Sequence, residues 1–143
     1  SVSGGLYSLI PLFFTVLVNF GMMYAMGMQI TTGTMMVASI AIGIGVDYTI
    51  HFLERFKLQR KNGDTPVEAY YHTLETTGKA VFINAISVSL GFLVLVFSDL
   101  TGNISMGVLM AGTMVYSSIG ALYFLPAGMF VTKPKFFFNK AVK

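Results

Sequence analysis

Three side chains that can bind or release protons lie within five residues of the apolar stretch AIGIGVDYTIHFLERF (41–56): Asp47, Tyr48 and His51. Asp47 is the first charged residue in the chain. Burial of a carboxyl group disfavours its charged form, which lets such a group exchange a proton near neutral pH. An imidazole titrates in the same range. The pattern predicts a proton relay through these three residues, and a fixed hydrogen bond between helices is the alternative role for Asp47.

Helical spacing places Asp47 on a stripe of small and ionisable residues, because residues four apart share one helix face. Small residues let a second helix approach closely, so we expect this stripe to face protein, with Asp47 in the bundle interior. Asp47 is eight residues from Arg55, or about 12 Å along a helix. If Arg55 marks the cytoplasmic edge, Asp47 lies near the middle of a hydrocarbon core about 30 Å thick. The stripe consists of Ser39, Gly43, Asp47, His51 and Arg55.

A matching small and polar stripe lies on a later apolar run. Lys79 marks the cytoplasmic edge of that run, and Ser87 lies eight residues beyond it, level with Asp47. We therefore expect the two runs to pack together, with the polar side chains of the later run beside Asp47. The predicted contacts that support the relay are Gly43, Gly45, Asn84 and Ser87.

The roles of the neighbouring side chains stay open at this point. His51 either relays a proton to the cytoplasm or sits at the level of the lipid head groups, and Tyr48 either donates a hydrogen bond or packs. Glu54 does not share the face of Asp47 and His51, so we expect no metal site. The sequence has no cysteine and no nucleophile–base pair. We therefore expect no enzymatic activity and no cofactor.

The composition is that of a membrane protein. Hydrophobic residues make up 55% of the chain and charged residues 10%, whereas soluble domains carry about 25% charged residues. Four apolar runs each approach or reach the roughly 20 residues that cross a bilayer. We therefore predict an all-α membrane fold in which residues 1–143 form one transmembrane unit, with spanning helices at about 6–28, 35–56, 80–97 and 104–131.

The positive charges predict the orientation of these spans. All nine Lys and Arg residues fall on one side of a four-span topology, as the positive-inside rule requires. The N-terminus, the central loop and the C-terminal tail are then cytoplasmic, and this distribution argues against nucleic acid as a partner. The basic residues are Arg55, Lys57, Arg60, Lys61 and Lys79 around the central loop, and Lys133, Lys135, Lys140 and Lys143 in the tail.

The central loop carries the signals of a short amphipathic helix at about 65–77. Thr65 and Glu68 form a capping-box pattern around Pro66, and Gly78 fits just past the helix end. Such a helix lies at the membrane surface, where it either holds the loop in place or binds a regulatory partner.

GIGVDYTIHFLERF resembles the Gly-x-Gly-x-Asp-Tyr signature of the resistance-nodulation-division (RND) superfamily. It is most similar to the exporter and MMPL-like branch, which shares a sterol-sensing-like helix bundle. The order of features matches over nearly the whole chain: IPLFFTVLVNFGMMYAMGMQITTGT comes first, then the signature helix. GKAVFINAISVSLGFLVLVFS and a last span ending in LPAG follow.

The resemblance implies twelve membrane helices in two repeats, each with a large extracytoplasmic domain after its first helix. This chain resembles the last four helices of one repeat, and its end, KPKFFFNKAVK, favours the second. The resemblance also implies that Asp47 and Tyr48 relay protons to drive export of lipids or other hydrophobic compounds across a bacterial inner membrane. The implied partners are protons, the substrate, the bilayer, the other repeat and the extracytoplasmic domains, and homo-oligomerisation is left open.

The sequence leaves two alternative functions open. A sterol- or lipid-sensing regulatory module would bind a lipid in the bundle and signal through the amphipathic helix. A Sec translocation accessory subunit of the same superfamily would associate with a protein-conducting channel. The signature of such subunits usually has Asn soon after the Asp, and DYTIH fits the exporter branch better.

Overall fold

The computed structural model of the protein describes residues 2–132, and its side chains from 9 to 131 except 38, 41 and 42. The four tail lysines used in the orientation argument lie outside the described residues. All regular structure in the described part is helical, which confirms the all-α class. The helices are α1 (Val2–Ala25), α2 (Thr32–Lys61), α3 (Pro66–Thr73), α4 (Lys79–Leu93), α5 (Thr101–Ile119) and α6 (Leu125–Thr132).

Three short irregular helical turns accompany the later helices, and two of them join these helices into two longer segments. A π-helical turn, Leu74–Gly78, connects α3 to α4, and a 3₁₀ turn, Val94–Phe97, ends α4. We call this unit the third segment (66–97). A second π-helical turn, Gly120–Phe124, connects α5 to α6 in the fourth segment (101–132).

Helix α2 is longer at both ends than the predicted 35–56. Its start is set by Thr31, whose backbone N–H donates to Thr34 Oγ1 at 2.8 Å while the Thr31 side chain accepts from the Thr34 N–H. This reciprocal pair satisfies N–H groups that otherwise have no partner at a helix start. At the other end α2 continues through its basic residues to Lys61, because nothing in the polar sequence stops a helix there.

The amphipathic helix begins as predicted, with a capping box between Thr65 and Glu68 and Pro66 in the first turn. The backbone N–H and the hydroxyl of Thr65 both donate to Glu68 Oε2 at 2.8 Å. These bonds hold the pKa of the Glu68 carboxyl below its usual range, since they favour its charged form.

The prediction that Gly78 ends this helix is wrong. Gly78 has right-handed helical angles (φ −61°, ψ −45°) and is buried, with Leu74 and Leu122 as its neighbours. Its lack of a side chain serves close packing rather than a left-handed cap. The amphipathic helix is therefore the first part of a continuous third segment and not a separate element.

The fourth segment is the centre of the bundle, since α1, α2 and α4 all pack on α5. Glycines allow these approaches: a Cβ at Gly45 would lie 2.9 Å from Ser117 Oγ, and one at Gly120 would lie 3.1 Å from Pro11 Cβ. The tightest contact is at Gly107, where a Cβ would lie 2.7 Å from the Phe92 carbonyl oxygen. Small residues have this role in membrane helix bundles.

The second and third spans meet through side chains, such as Tyr48 and Asn84, rather than through close backbone packing. Helices α2 and α4 each pack closely on α5, which leaves only sparse contact between them. The small residues of α2 and α4 identified from the sequence do permit close approach, but the spacing of residues along one helix does not determine which other helix uses them.

Two apolar clusters fill the bundle. The larger one contains Phe52, Phe56, Leu125 and Met129, and the smaller one is centred on Leu109. Many other large apolar side chains are exposed on the outside, as in a protein whose surroundings are apolar.

Two helices, Pro66–Phe97 and Thr101–Val131, are long and apolar enough to cross a membrane by length and composition. Leu9–Ala25 is a shorter apolar helix. The description of the chain as four spanning helices stays a prediction.

Gly107→Ala should destabilise the fold by about 1–3 kcal/mol, because the added methyl group meets the backbone of Phe92 rather than a movable side chain. Gly91→Ala is the matched control, since nothing lies within 4 Å of a Cβ there. The measurement is thermal unfolding of both variants in the same detergent. Equal stability of the two variants would contradict the close α4–α5 packing.

Candidate functional site

Asp47 lies on an exposed face of α2, together with Ser39, Gly43 and His51. The predicted stripe therefore exists, but the prediction that it faces the interior is wrong for the helices of this chain. The interior face of α2 is the adjacent one, where Gly45 and Tyr48 are buried. Among the described residues, Asp47 has no hydrogen-bond or ion-pair partner.

Tyr48 is buried, with 5% of its surface exposed, and it joins three helices. The side-chain amide of Asn84 on α4 donates to Tyr48 Oη at 3.0 Å. The Tyr48 hydroxyl in turn donates to the Met114 sulfur on α5 at 3.9 Å. Tyr48 therefore has both of the roles that the sequence left open: it forms hydrogen bonds and it packs in the core.

The polar residues of α4 are only partly where the sequence predicted them. Asn84 does approach the signature pair, but through Tyr48 rather than Asp47. Ser87 is exposed, and within the described residues no hydrogen bond joins it to Asp47. The reason is geometric: α2 and α4 both pack on α5 and have sparse backbone contact with each other, and the long Tyr48 side chain reaches Asn84.

An open cavity of about 330 Å³ occupies this gap on the side toward the basic residues. His51 and Asn84 both line it, so the structure brings these two predicted residues to one space. Thr77 also lines it and was not predicted. The spacing of Thr77 from Asn84 places both on one face of a helix that continues through Gly78. The prediction that the helix ends at Gly78 therefore concealed Thr77. The complete lining is His51, Thr77, Ala80, Val81 and Asn84.

A hydrogen bond connects the π-helical turn next to this cavity to α2. Arg55 Nε donates to Thr76 Oγ1 at 3.3 Å, and the Thr76 hydroxyl donates to the His72 carbonyl at 2.8 Å. These bonds position the part of the third segment that carries Thr77. Among the described residues no three His, Asp or Glu side chains come together as a metal site would require.

Asp47, which has no partner among the described residues, is adjacent in sequence to a member of a buried hydrogen-bonded network. Tyr48 connects this turn of α2 to α4 and α5. A charged carboxylate facing hydrocarbon costs at least about 2.5–3.5 kcal/mol. The exposed face that carries Asp47 is therefore suited to contact with other protein or water rather than lipid.

The hydrogen bond between Tyr48 and Asn84 should appear as an energetic coupling. We expect the double-mutant cycle of Tyr48→Phe and Asn84→Ala to give a coupling energy of about 0.6 kcal/mol, and at most about 1.7 kcal/mol. The measurement is the free energy of unfolding in mixed micelles. The control cycle of Tyr48→Phe and Ser87→Ala should be additive, and a Tyr48–Asn84 cycle that is also additive would remove the bridge from the site.

Comparison with known proteins gives relatives in archaea and bacteria. A predicted membrane protein of Methanocaldococcus jannaschii is 28% identical over 119 residues, which cover 83% of this chain and 31% of that protein. The "probable transport protein MmpL12" of Mycobacterium tuberculosis is 28% identical over 95 residues, or 66% of this chain and 8% of the relative. A predicted membrane protein of Bacillus subtilis is 42% identical over 67 residues, which cover 47% of this chain and 8% of that protein. No solved structure matches the chain.

The model of the MMPL family matches residues 2–138. The chain spans 31% or less of the length of the three relatives described above. These matches confirm the resemblance stated from the signature helix, and with it the membrane and transport character of the family. Since the family model covers nearly the whole sequence, this chain belongs to the MMPL family.

Proposed function

We propose that this chain is the proton-coupling transmembrane part of a secondary exporter for lipids or other hydrophobic compounds. The observation that carries the proposal is the position of Asp47, which is exposed and without a partner in the described part of the chain. It lies beside a tyrosine that is hydrogen-bonded to two other helices. Membership of the MMPL family, and the transport name of one relative, support the same function.

In this proposal the chain supplies four spanning helices with both ends in the cytoplasm of the cell that carries it. The described basic residues lie at one end of the bundle, which agrees with the positive-inside rule. The two long apolar segments and the apolar outer surface support the membrane placement. The other repeat and the extracytoplasmic domains would come from the rest of a complete transporter.

The exposed stripe of α2 is the surface on which the other repeat would pack. A carboxylate on this stripe is costly in contact with lipid, and Gly43 beside it leaves room for a second backbone. Contact with another protein surface would provide polar partners that the described residues do not provide.

Protonation would act through the packing at that surface. Neutral Asp47 favours a close, dry contact, while the ionised carboxylate favours separation or a cationic partner. Because Tyr48 connects this turn of α2 to α4 and α5, a shift of α2 would reach the whole bundle. Movement of one repeat against the other is a common way for secondary transporters to alternate access.

The cavity lined by His51, Thr77 and Asn84 would supply the proton from the cytoplasm. His51 lines this open cavity and lies one helical turn from Asp47 on the same face, toward the basic residues of α2. An imidazole in such a cavity can take a proton from bulk water and pass it along a short chain of water molecules.

Asp47→Asn in the complete natural protein should abolish transport driven by a pH gradient in proteoliposomes, because the amide cannot exchange a proton. Asp99→Asn is the matched control: Asp99 is exposed near the far end of the third segment and should leave the rate unchanged. Normal transport by the Asp47 variant would overturn proton coupling at this residue, and the lipid-sensing module would then be the better explanation.

His51→Ala should slow the same transport several-fold by removing the proton donor, and added imidazole should restore much of the rate because the cavity is open and about 330 Å³ in volume. His72→Ala serves as the control, since the His72 ring is paired with Asp64 on the exposed surface at 2.8 Å. An unchanged rate in the His51 variant would show that His51 takes no part in proton transfer and only lies at the membrane surface.

A further inference from the structure

A second cavity lies between the third and fourth segments, on a different face of the third segment from the one that carries Thr77 and Asn84. Its volume is about 600 Å³, within the range of roughly 300–1,000 Å³ typical of small-molecule sites. We call it the lateral groove. Apolar and aromatic side chains dominate its walls, among them Tyr71, Leu74, Phe82, Ile119, Leu122 and Tyr123.

The groove forms where the two π-helical turns come together. Leu74 and Gly78 belong to the turn of the third segment, and Leu122 and Tyr123 to that of the fourth. The widened backbone of a π turn is frequent at functional sites. Gly78 lines the groove without a side chain that would fill it. A Cβ at this position would lie 3.6 Å from Leu122 Cδ2.

The walls of the lateral groove open outward rather than into the bundle. Phe82 has 56% of its surface exposed and Tyr123 64%, and Ile119 is also exposed. In the proposed orientation this face meets the cytoplasmic leaflet, where tyrosines are favoured because they have an apolar ring and a polar tip. The apolar walls therefore match a hydrocarbon chain.

Two opposite charges stand at the mouth of the lateral groove. Glu75 and Lys79 are four residues apart, a spacing at which the two side chains often pair on a regular helix. Here Glu75 lies within the π-helical turn and Lys79 directly follows it. They form no ion pair with each other, and neither has a hydrogen-bond or ion-pair partner among the described residues. Both line the groove, so a cationic and an anionic site are available side by side.

We propose that the lateral groove binds a zwitterionic phospholipid of the cytoplasmic leaflet. Its phosphate contacts Lys79, its ammonium group contacts Glu75, and one acyl chain lies along Phe82 and Ile119. An anionic lipid would satisfy only Lys79 and would meet repulsion from Glu75. The choice of a zwitterionic head group therefore follows from charge complementarity.

This site rests on the proposed membrane placement but not on proton coupling. None of its lining residues belongs to the α2 stripe of Asp47, and none lines the cavity of His51. Lipid binding here can thus fail or succeed independently of transport.

The test uses the complete natural protein, delipidated in detergent and incubated with equal amounts of phosphatidylethanolamine and phosphatidylglycerol. Native mass spectrometry then counts the lipids retained. The wild type should retain phosphatidylethanolamine at least fivefold over phosphatidylglycerol. Glu75→Gln should remove this preference, Lys79→Gln should lower retention of both lipids, and Ile119→Trp should lower retention by filling the groove.

Three variants are matched controls. Glu54→Gln and Lys61→Gln change the same types of charge on exposed positions of α2, away from the groove, and should retain the wild-type preference. Asp47→Asn should also retain it, which separates this site from the proton relay. Preference for phosphatidylglycerol, or equal losses in the groove variants and the α2 controls, would overturn the proposal.

Discussion

The close approach of α5 to the other helices is the contact on which the rest of the structure depends. It is made at positions without side chains: Gly107 against the backbone of Phe92, Gly45 against Ser117, and Gly120 beside Pro11. Helices in an apolar solvent gain little from burying apolar surface, so close packing and a few hydrogen bonds must hold them together. With α5 at the centre, α2 and α4 have only sparse backbone contact with each other.

That separation explains the site. The gap between α2 and α4 becomes the cavity next to His51, and Tyr48 is long enough to cross it to Asn84. Because the face of α2 toward α5 is already filled, the stripe of Asp47 is turned outward. The signature pair is thereby divided: Tyr48 is part of the internal hydrogen-bond network, and Asp47 lies on the exposed face of α2.

The two π-helical turns create the lateral groove on a different face of the third segment. They interrupt regular spacing where the third and fourth segments meet. The interruption leaves an open lateral groove lined by Glu75 and Lys79, which have no partner in the part of the chain that the structure describes. Family membership with relatives several times longer fits a bundle whose polar stripe is left uncovered. The stripe and the lateral groove lie on different faces, so protein could cover one while lipid fills the other.

Much of this protein was determined by the sequence alone. The apolar runs required a helical membrane protein, the Thr65–Glu68 capping box placed the start of α3, and the signature helix identified the family, because these features depend on local chemistry and periodicity. Only the tertiary structure decided that Gly78 continues a helix and that Asp47 faces outward. Spacing along a helix defines which residues share a face, but which face is covered depends on the neighbour that packs there, here α5.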